Sequence, residues 1–123
     1  MDKLFNILTY VIGFLFLLMG LQWLTDPTSA AAGLGMSLLS GHGLSTQIGD
    51  LASFFLVVGV FTLCAAVKKN KVWLYTPIAL FSFAAISRII AFVFHDAALS
   101  TDKILVELVL AGFLLFLVKK GEK

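Results

Sequence analysis

The sequence predicts an all-α fold: an antiparallel four-helix transmembrane bundle, with a short outer-surface helix between spans one and two. Three observations carry this expectation. Hydrophobic residues make up 60% of the 123-residue chain and charged residues only 13%, whereas an ordinary globular domain is roughly 45–50% apolar and about a quarter charged. The mean hydropathy of +1.03 agrees. The apolar residues fall in runs that approach or reach the ~20 residues a span requires, and the nine Lys and Arg gather mostly at the ends of those runs, as they do in membrane proteins.

The first run, residues 4–25, is longer than the ~7–15 residues of a signal-peptide apolar region, and no A-x-A site follows it directly. It reads as an uncleaved span. The connection from Asp26 to Thr46 is long for a helix bundle. Asp26 as N-cap and Pro27 at the first helical position mark a helix start, and Gly41 and Gly43 are read as its stop. A short helix over residues 27–39 is therefore expected at the outer surface. Residues 47–67 form the second span and residues 72–94 the third, with Pro77 in its first turns, where a missing N–H is cheap. Residues 103–118 form a shorter fourth, lengthened by snorkelling of Lys103, Lys119 and Lys120. Backbone groups in lipid must be satisfied within the segment, so these runs are helices. The whole chain, residues 1–123, reads as a single integral membrane domain.

Direction follows from the basic residues. Lys3 precedes span one, KKNK (68–71) joins spans two and three, and KKGEK (119–123) follows span four. With four spans these three sites share one side of the membrane. The other side carries Asp26, His42, Asp96, Asp102 and Lys103, with no basic cluster. Both termini are expected in the cytoplasm. Trp23 and Trp73 read as interface anchors, one on each side.

The polar residues within the spans fall at one depth. Asp50 in span two, Arg88 in span three and Glu107 in span four each lie on the order of 5–10 Å below the outer boundary, at 1.5 Å of rise per residue. Gln22 and Gln47 fall in the same zone. Ala84, Arg88, Ala91 and His95 share one stripe of span three, whose small residues let neighbouring helices approach. An arginine inside a membrane costs at least ~2.5–3.5 kcal/mol and cannot shed its proton, so it should be paired. Arg88 is expected to bridge Asp50 and Glu107, with Gln22 or Gln47 filling the remaining hydrogen bonds. Two carboxylates and one guanidinium leave one negative charge, to be balanced by a proton, by His95 or by water.

Several function classes are excluded or disfavoured. A net charge of +2, spent at span ends, is no nucleic-acid signal. The single cysteine, Cys64, allows no internal disulfide and no cysteine-based metal site. With two histidines and no acidic cluster, no metal site is expected. No Gly-rich phosphate loop or Ser-His-Asp order is present, and no cofactor is expected.

Four stretches carry a resemblance: GLQWLTDPTSAAAGLGM (20–36), STQIGDLASFF (45–55), SRIIAFVFHD (87–96) and VELVLAG (106–112). The chain resembles a bacterial family of small four-helix membrane proteins, a domain of unknown function loosely similar to DoxX-like proteins. Its most specific positions here are Gln22, Trp23, Asp26, Pro27, Gln47, Gly49, Asp50, Arg88 and Glu107. The resemblance implies a four-helix fold in a bacterial inner membrane and implies no activity. DoxX-like proteins are linked with redox partners, and a lone Cys64 does not support thiol exchange.

Three functions remain open. The first is binding or transport of a small molecule or lipid-like ligand, in an oligomer because four helices are few for a complete transporter. The second is a membrane-embedded enzyme (isomerase, cyclase or hydratase type) on a lipid-like substrate, with Asp50 or Glu107 as acid or base and Arg88 holding an anionic group. The third is an accessory subunit of a membrane complex, in which the charges only fasten helices and Gly13 and Gly20 offer a contact stripe. The lipid bilayer is a partner in all three, beside a further copy of the chain or another membrane protein. Asp50, Arg88, Glu107, Gln22, Gln47 and His95 are the candidate site residues; which of them is catalytic, if any, is left open.

Overall fold

The structure is a computed structural model that describes residues 2–121, and among these it is helical without a strand. The order is α1 (Asp2–Thr25), α2 (Pro27–Gly33), α3 (Gly41–Lys68), a 3-10 turn (Lys71–Leu74), α4 (Tyr75–His95) and α5 (Thr101–Gly121). Three stretches are long and apolar enough to cross a membrane: Lys3–Thr25, Gly41–Lys68 and Lys71–His95. α5 matches α4 in length, at 21 residues each, but carries Asp102, Lys103, Glu107, Lys119 and Lys120. Glu122 and Lys123 of the terminal cluster lie outside the described residues, as does Met1.

Local chemistry sets the connection between α1 and α3. The Asp26 side chain accepts a hydrogen bond from the Ser29 backbone N–H, and Pro27 opens α2. The helix ends at Gly33, not near residue 39 as the sequence suggested. Gly35 takes φ +71°, its N–H reaches Ala32 O, and the Met36 N–H reaches Ala31 O. This paired pattern is the glycine-terminated helix end that satisfies otherwise orphaned carbonyls. The glycines expected to stop α2 do something else. Gly41, at φ +58°, opens α3 two turns ahead of the expected start, and Gly43 lies within its first turn.

α1 and α3 form the closest pair. A Cβ on Gly13 would lie 2.8 Å from Leu63, one on Gly20 2.7 Å from Leu56, and one on Gly59 2.5 Å from the Leu17 backbone nitrogen. These contacts run in opposite directions along the two helices, so the pair is antiparallel. Gly13 and Gly20 thus serve packing within the chain, with Gly59 as their counterpart on α3. Where the pair reaches the end of α1, Trp23 is 1% exposed, in a cluster with Ala30, Ala31, Ala52 and Phe55. It is a core residue rather than the interface anchor expected, because α2 folds back over it. Trp73 is half-buried against Phe61, with the Lys68 ammonium 5.8 Å from its ring centroid.

α4 and α5 form the second pair. Val58, Phe81, Leu114 and Leu117 build the core that joins it to the first. Phe5 of α1 closes onto Phe113 and Phe116 of α5, with ring centroids 6.0 and 5.6 Å apart. The outer surfaces leave Phe14, Phe83, Phe94 and Val109 exposed, far more apolar surface than a water-soluble monomer presents. In the core, Thr62 is 0% exposed and its hydroxyl has no partner. Its isosteric replacement removes an unsatisfied group, so Thr62→Val should leave the melting temperature unchanged or raise it by the equivalent of about 1 kcal/mol. A thermal melt in detergent checks this.

Candidate functional site: a cavity beside the Arg88–Glu107 pair

α4 places Arg88 on the stripe that runs from buried Phe81 and Ala85 past half-buried Ala84 and Ala91. It lies seven residues before His95, or about 10 Å along the helix. α5 places Glu107 at the matching depth from its own start. Arg88 Nε donates to Glu107 Oε1 at 2.9 Å. The glutamate side chain is 10% exposed and the arginine 35%. The contact uses one nitrogen of the guanidinium and one oxygen of the carboxylate. The terminal nitrogens of Arg88 and Glu107 Oε2 have no partner among the described residues.

Both side chains line a cavity of about 430 Å³ between the two helix pairs, within the ~300–1,000 Å³ range of ligand pockets. Its walls are mainly apolar: Met19, Leu34, Leu51 and Val106 with the rings of Phe16, Phe54, Phe55 and Phe81. Those rings pack on one another, Phe16 against Phe55 and Phe81, and Phe54 against the same two, with centroids 5.3–6.0 Å apart. They form a floor below the ion pair. Val58 and Leu114, both 0% exposed, fill the core beneath. The single chain therefore has a pocket at this depth and a packed core below it.

The other expected site residues go elsewhere. Asp50 is exposed on α3, outside the buried stripe of Gln47, Phe55, Val58 and Thr62, and it makes no ion pair with Arg88, which pairs with Glu107 alone. The physical reason is the face of the helix. Leu51 and Phe54 of α3 line the cavity, whereas Asp50, one residue before Leu51 and so about 100° around the helix, stands on the exposed side. Gln22 is exposed on α1, so neither it nor Gln47 fills the hydrogen bonds of Arg88. Gln47 is buried and pins the segment before α3: its Oε1 accepts from the Leu39 N–H at 2.9 Å, and its Nε2 donates to Ser37 O at 3.1 Å. His95 is exposed at the last residue of α4, and His42 is exposed in the first turn of α3.

Charge balance changes with this arrangement. Without Asp50 the inner pair is neutral. Asp102 and Lys103 also line the cavity and approach each other at 3.8 Å, so the four charged groups of the cavity sum to zero. No excess negative charge is left to balance. Among the described residues no group of three or more His, Cys, Asp or Glu could hold a metal ion.

Sequence reasoning missed Asp102 and the phenylalanine floor. Asp102 reads as an ordinary acidic residue in the first turn of a helix, and nothing in the spacing ties it to Arg88. A phenylalanine within a span is most simply lipid-facing or core, and the one available signal is that Phe54, Phe55 and Phe81 sit at the depth just below the charges. Comparison with protein-family models, with curated proteins and with solved structures finds no match to this chain.

Proposed function

We propose that this chain is a four-span bacterial inner-membrane protein, an antiparallel bundle with cytoplasmic termini and of the small four-helix type it resembles, and that it binds an uncharged lipid-like amphiphile in the cavity beside Arg88 and Glu107. The fourth span is α5, which carries Glu107 inward and snorkels through its terminal lysines. The observation that carries the ligand reading is the one-armed ion pair at an apolar cavity. Glu107 holds the guanidinium by Nε and leaves its outer nitrogens to donate to a ligand oxygen. Glu107 Oε2 is left to accept from a ligand hydroxyl or amide. An uncharged head disturbs nothing, whereas an anionic head adds an uncompensated charge to a balanced site, which is costly in a low-dielectric surrounding. The phenylalanine walls suit a hydrocarbon tail.

Binding and carriage are favoured over acid–base catalysis because Asp50 stands away from the cavity, Glu107 is engaged by the guanidinium, and Asp102, the other carboxylate of the lining, is exposed beside Lys103. The packed core below the floor favours a binding pocket over a pore through one chain. The test is what the protein carries. Native mass spectrometry from a mild uncharged detergent should find a small amphiphile on the wild type. It should be held more weakly by folded Phe54→Trp, which narrows the cavity, and be absent from folded Arg88→Leu/Glu107→Leu, which keeps the charge balance but removes the hydrogen-bonding groups. The same adduct on all three proteins would sink the assignment.

A further inference from the structure

We propose that the opposite end of the molecule holds a second binding site, for a phosphate-bearing anion, in a cavity of about 450 Å³ where α1 begins and α3 and α5 end. Lysines from four elements line it: Lys3 of α1, Lys69 at the end of α3, Lys71 of the 3-10 turn and Lys120 of α5. The Asn6 side chain shares the wall, and Leu74 and Leu117 form an apolar floor. Among residues 3–120, whose side chains the structure describes, no carboxylate lines the cavity, and Lys3, Lys69 and Lys71 make no ion pair there.

The plain alternative is that these lysines only mark the cytoplasmic side. Residues with that role need to reach water and need not converge. Lys68, over Trp73, and exposed Lys119 behave so. Four of the six described lysines at this end instead border one concavity. One of them is held in place, and a second sits at an uncommon backbone position. Lys120 stacks its ammonium 4.6 Å from the Phe5 ring centroid. Lys69 adopts φ 53°, a left-handed position that favours Gly or Asn and costs a side chain of this type on the order of 1 kcal/mol or more. Asn is the very next residue, where it caps the 3-10 turn through Val72 N–H. The like charges of Lys3, Lys69 and Lys71, gathered in a recess, repel until an anion joins them, and ammonium groups suit phosphate oxygens. The apolar floor adds room for the first carbons of an acyl chain. A phospholipid headgroup and a free phosphate share this chemistry, and the anionic leaflet supplies the former at this side under the proposed orientation. The site does not depend on the outer cavity.

The test uses the full chain in uncharged detergent, with phosphatidylglycerol, phosphatidylcholine and inorganic phosphate as probes and native mass spectrometry as readout. Lys69→Asn/Lys71→Gln removes two pocket charges with residues that the backbone accepts. Lys68→Gln/Lys119→Gln removes two charges outside the pocket. Wild type and the outside pair should hold one phosphatidylglycerol saturably, and the pocket pair about thirtyfold more weakly. Displacement by inorganic phosphate, or phosphate binding lost only in the pocket pair, assigns recognition to the phosphate group itself. Pocket-dependent phosphatidylglycerol binding that phosphate does not displace assigns the site to the lipid. Equal weakening in both pairs, or phosphatidylcholine held as tightly as phosphatidylglycerol, overturns the site and leaves only surface charge.

Discussion

Gly59→Ala should be among the most damaging single-methyl changes in the chain. The added carbon would meet the Leu17 nitrogen at 2.5 Å, the Leu17 Cα at 2.7 Å and the Gly13 carbonyl oxygen at 2.9 Å. All three are backbone atoms, so no side-chain rotation relieves the clash and α1 must move off α3. A Cβ on Gly13 or Gly20 would meet the Leu63 or Leu56 side chain first, which can turn, and a single backbone atom behind it, Leu63 N at 3.1 Å or Leu56 N at 2.9 Å. Overpacking typically costs about 1–3 kcal/mol, and Gly59→Ala is expected at the top of that range. Gly49→Ala is the control, because a Cβ there meets nothing within 4 Å and alanine favours a helix by roughly 1 kcal/mol over glycine. Its melting temperature should hold or rise. A Gly59→Ala protein that melts with the wild type would show that the two helices are not held this closely.

Arg88→Ala should be the most damaging change at the cavity beside Glu107. It leaves the Glu107 carboxylate buried without its guanidinium. Breaking a fully buried pair costs about 3–5 kcal/mol. Arg88 is 35% exposed toward the cavity, and the partial exposure lowers the expectation to about 1–3 kcal/mol. Removing both partners leaves no unpaired charge, so Arg88→Leu/Glu107→Leu should be less damaged than the sum of its single changes, with a coupling on the order of 1 kcal/mol or more. Asp50→Asn should leave stability unchanged, because Asp50 is exposed. Thermal melts of the wild type, Arg88→Leu, Glu107→Leu and the double change in one detergent measure the cycle, with Asp50→Asn melted beside them. A coupling of zero between positions 88 and 107 counts against the pair, and a marked loss in Asp50→Asn would restore the three-membered bridge.

Much of this architecture was legible in the sequence because its signals were long or physically forced. Three runs of apolar residues need no tertiary information to be read as membrane-crossing helices. Arg88 could not stand alone in an apolar run, and Glu107 was a partner at its depth. The connection between α1 and α3 was harder because several glycines competed to end α2. Gly35 ends it since its left-handed conformation lets two N–H groups reach back to Ala31 and Ala32, a choice that spacing alone does not reveal. Asp50 was misplaced because spacing gave its depth and not its facing: Leu51, the next residue of α3, lines the cavity beside Arg88, while Asp50 stands on the exposed side of the helix. Gln47 carried no signal that its amide would clamp Ser37 and Leu39 rather than face a charge. Trp23 was indistinguishable from an interface tryptophan until α2 folded over it.

The two helix pairs, α1 with α3 and α4 with α5, meet through a packed middle and open into a cavity at each end. The cavity beside Arg88 and Glu107 is the one whose polar groups are both paired and still able to bind, and the central claim is that it holds the uncharged head and upper tail of an amphiphile. The most direct measurement is photolabelling of the protein in lipid vesicles with a monoacylglycerol that carries a diazirine in its tail, followed by peptide mapping. The account predicts label concentrated on Leu51, Phe54 and Phe81, removed by excess unlabelled monoacylglycerol and lost in Arg88→Leu/Glu107→Leu. Label spread over outward residues such as Phe83, Phe94 and Val109, unaffected by competitor or by the double change, would contradict it.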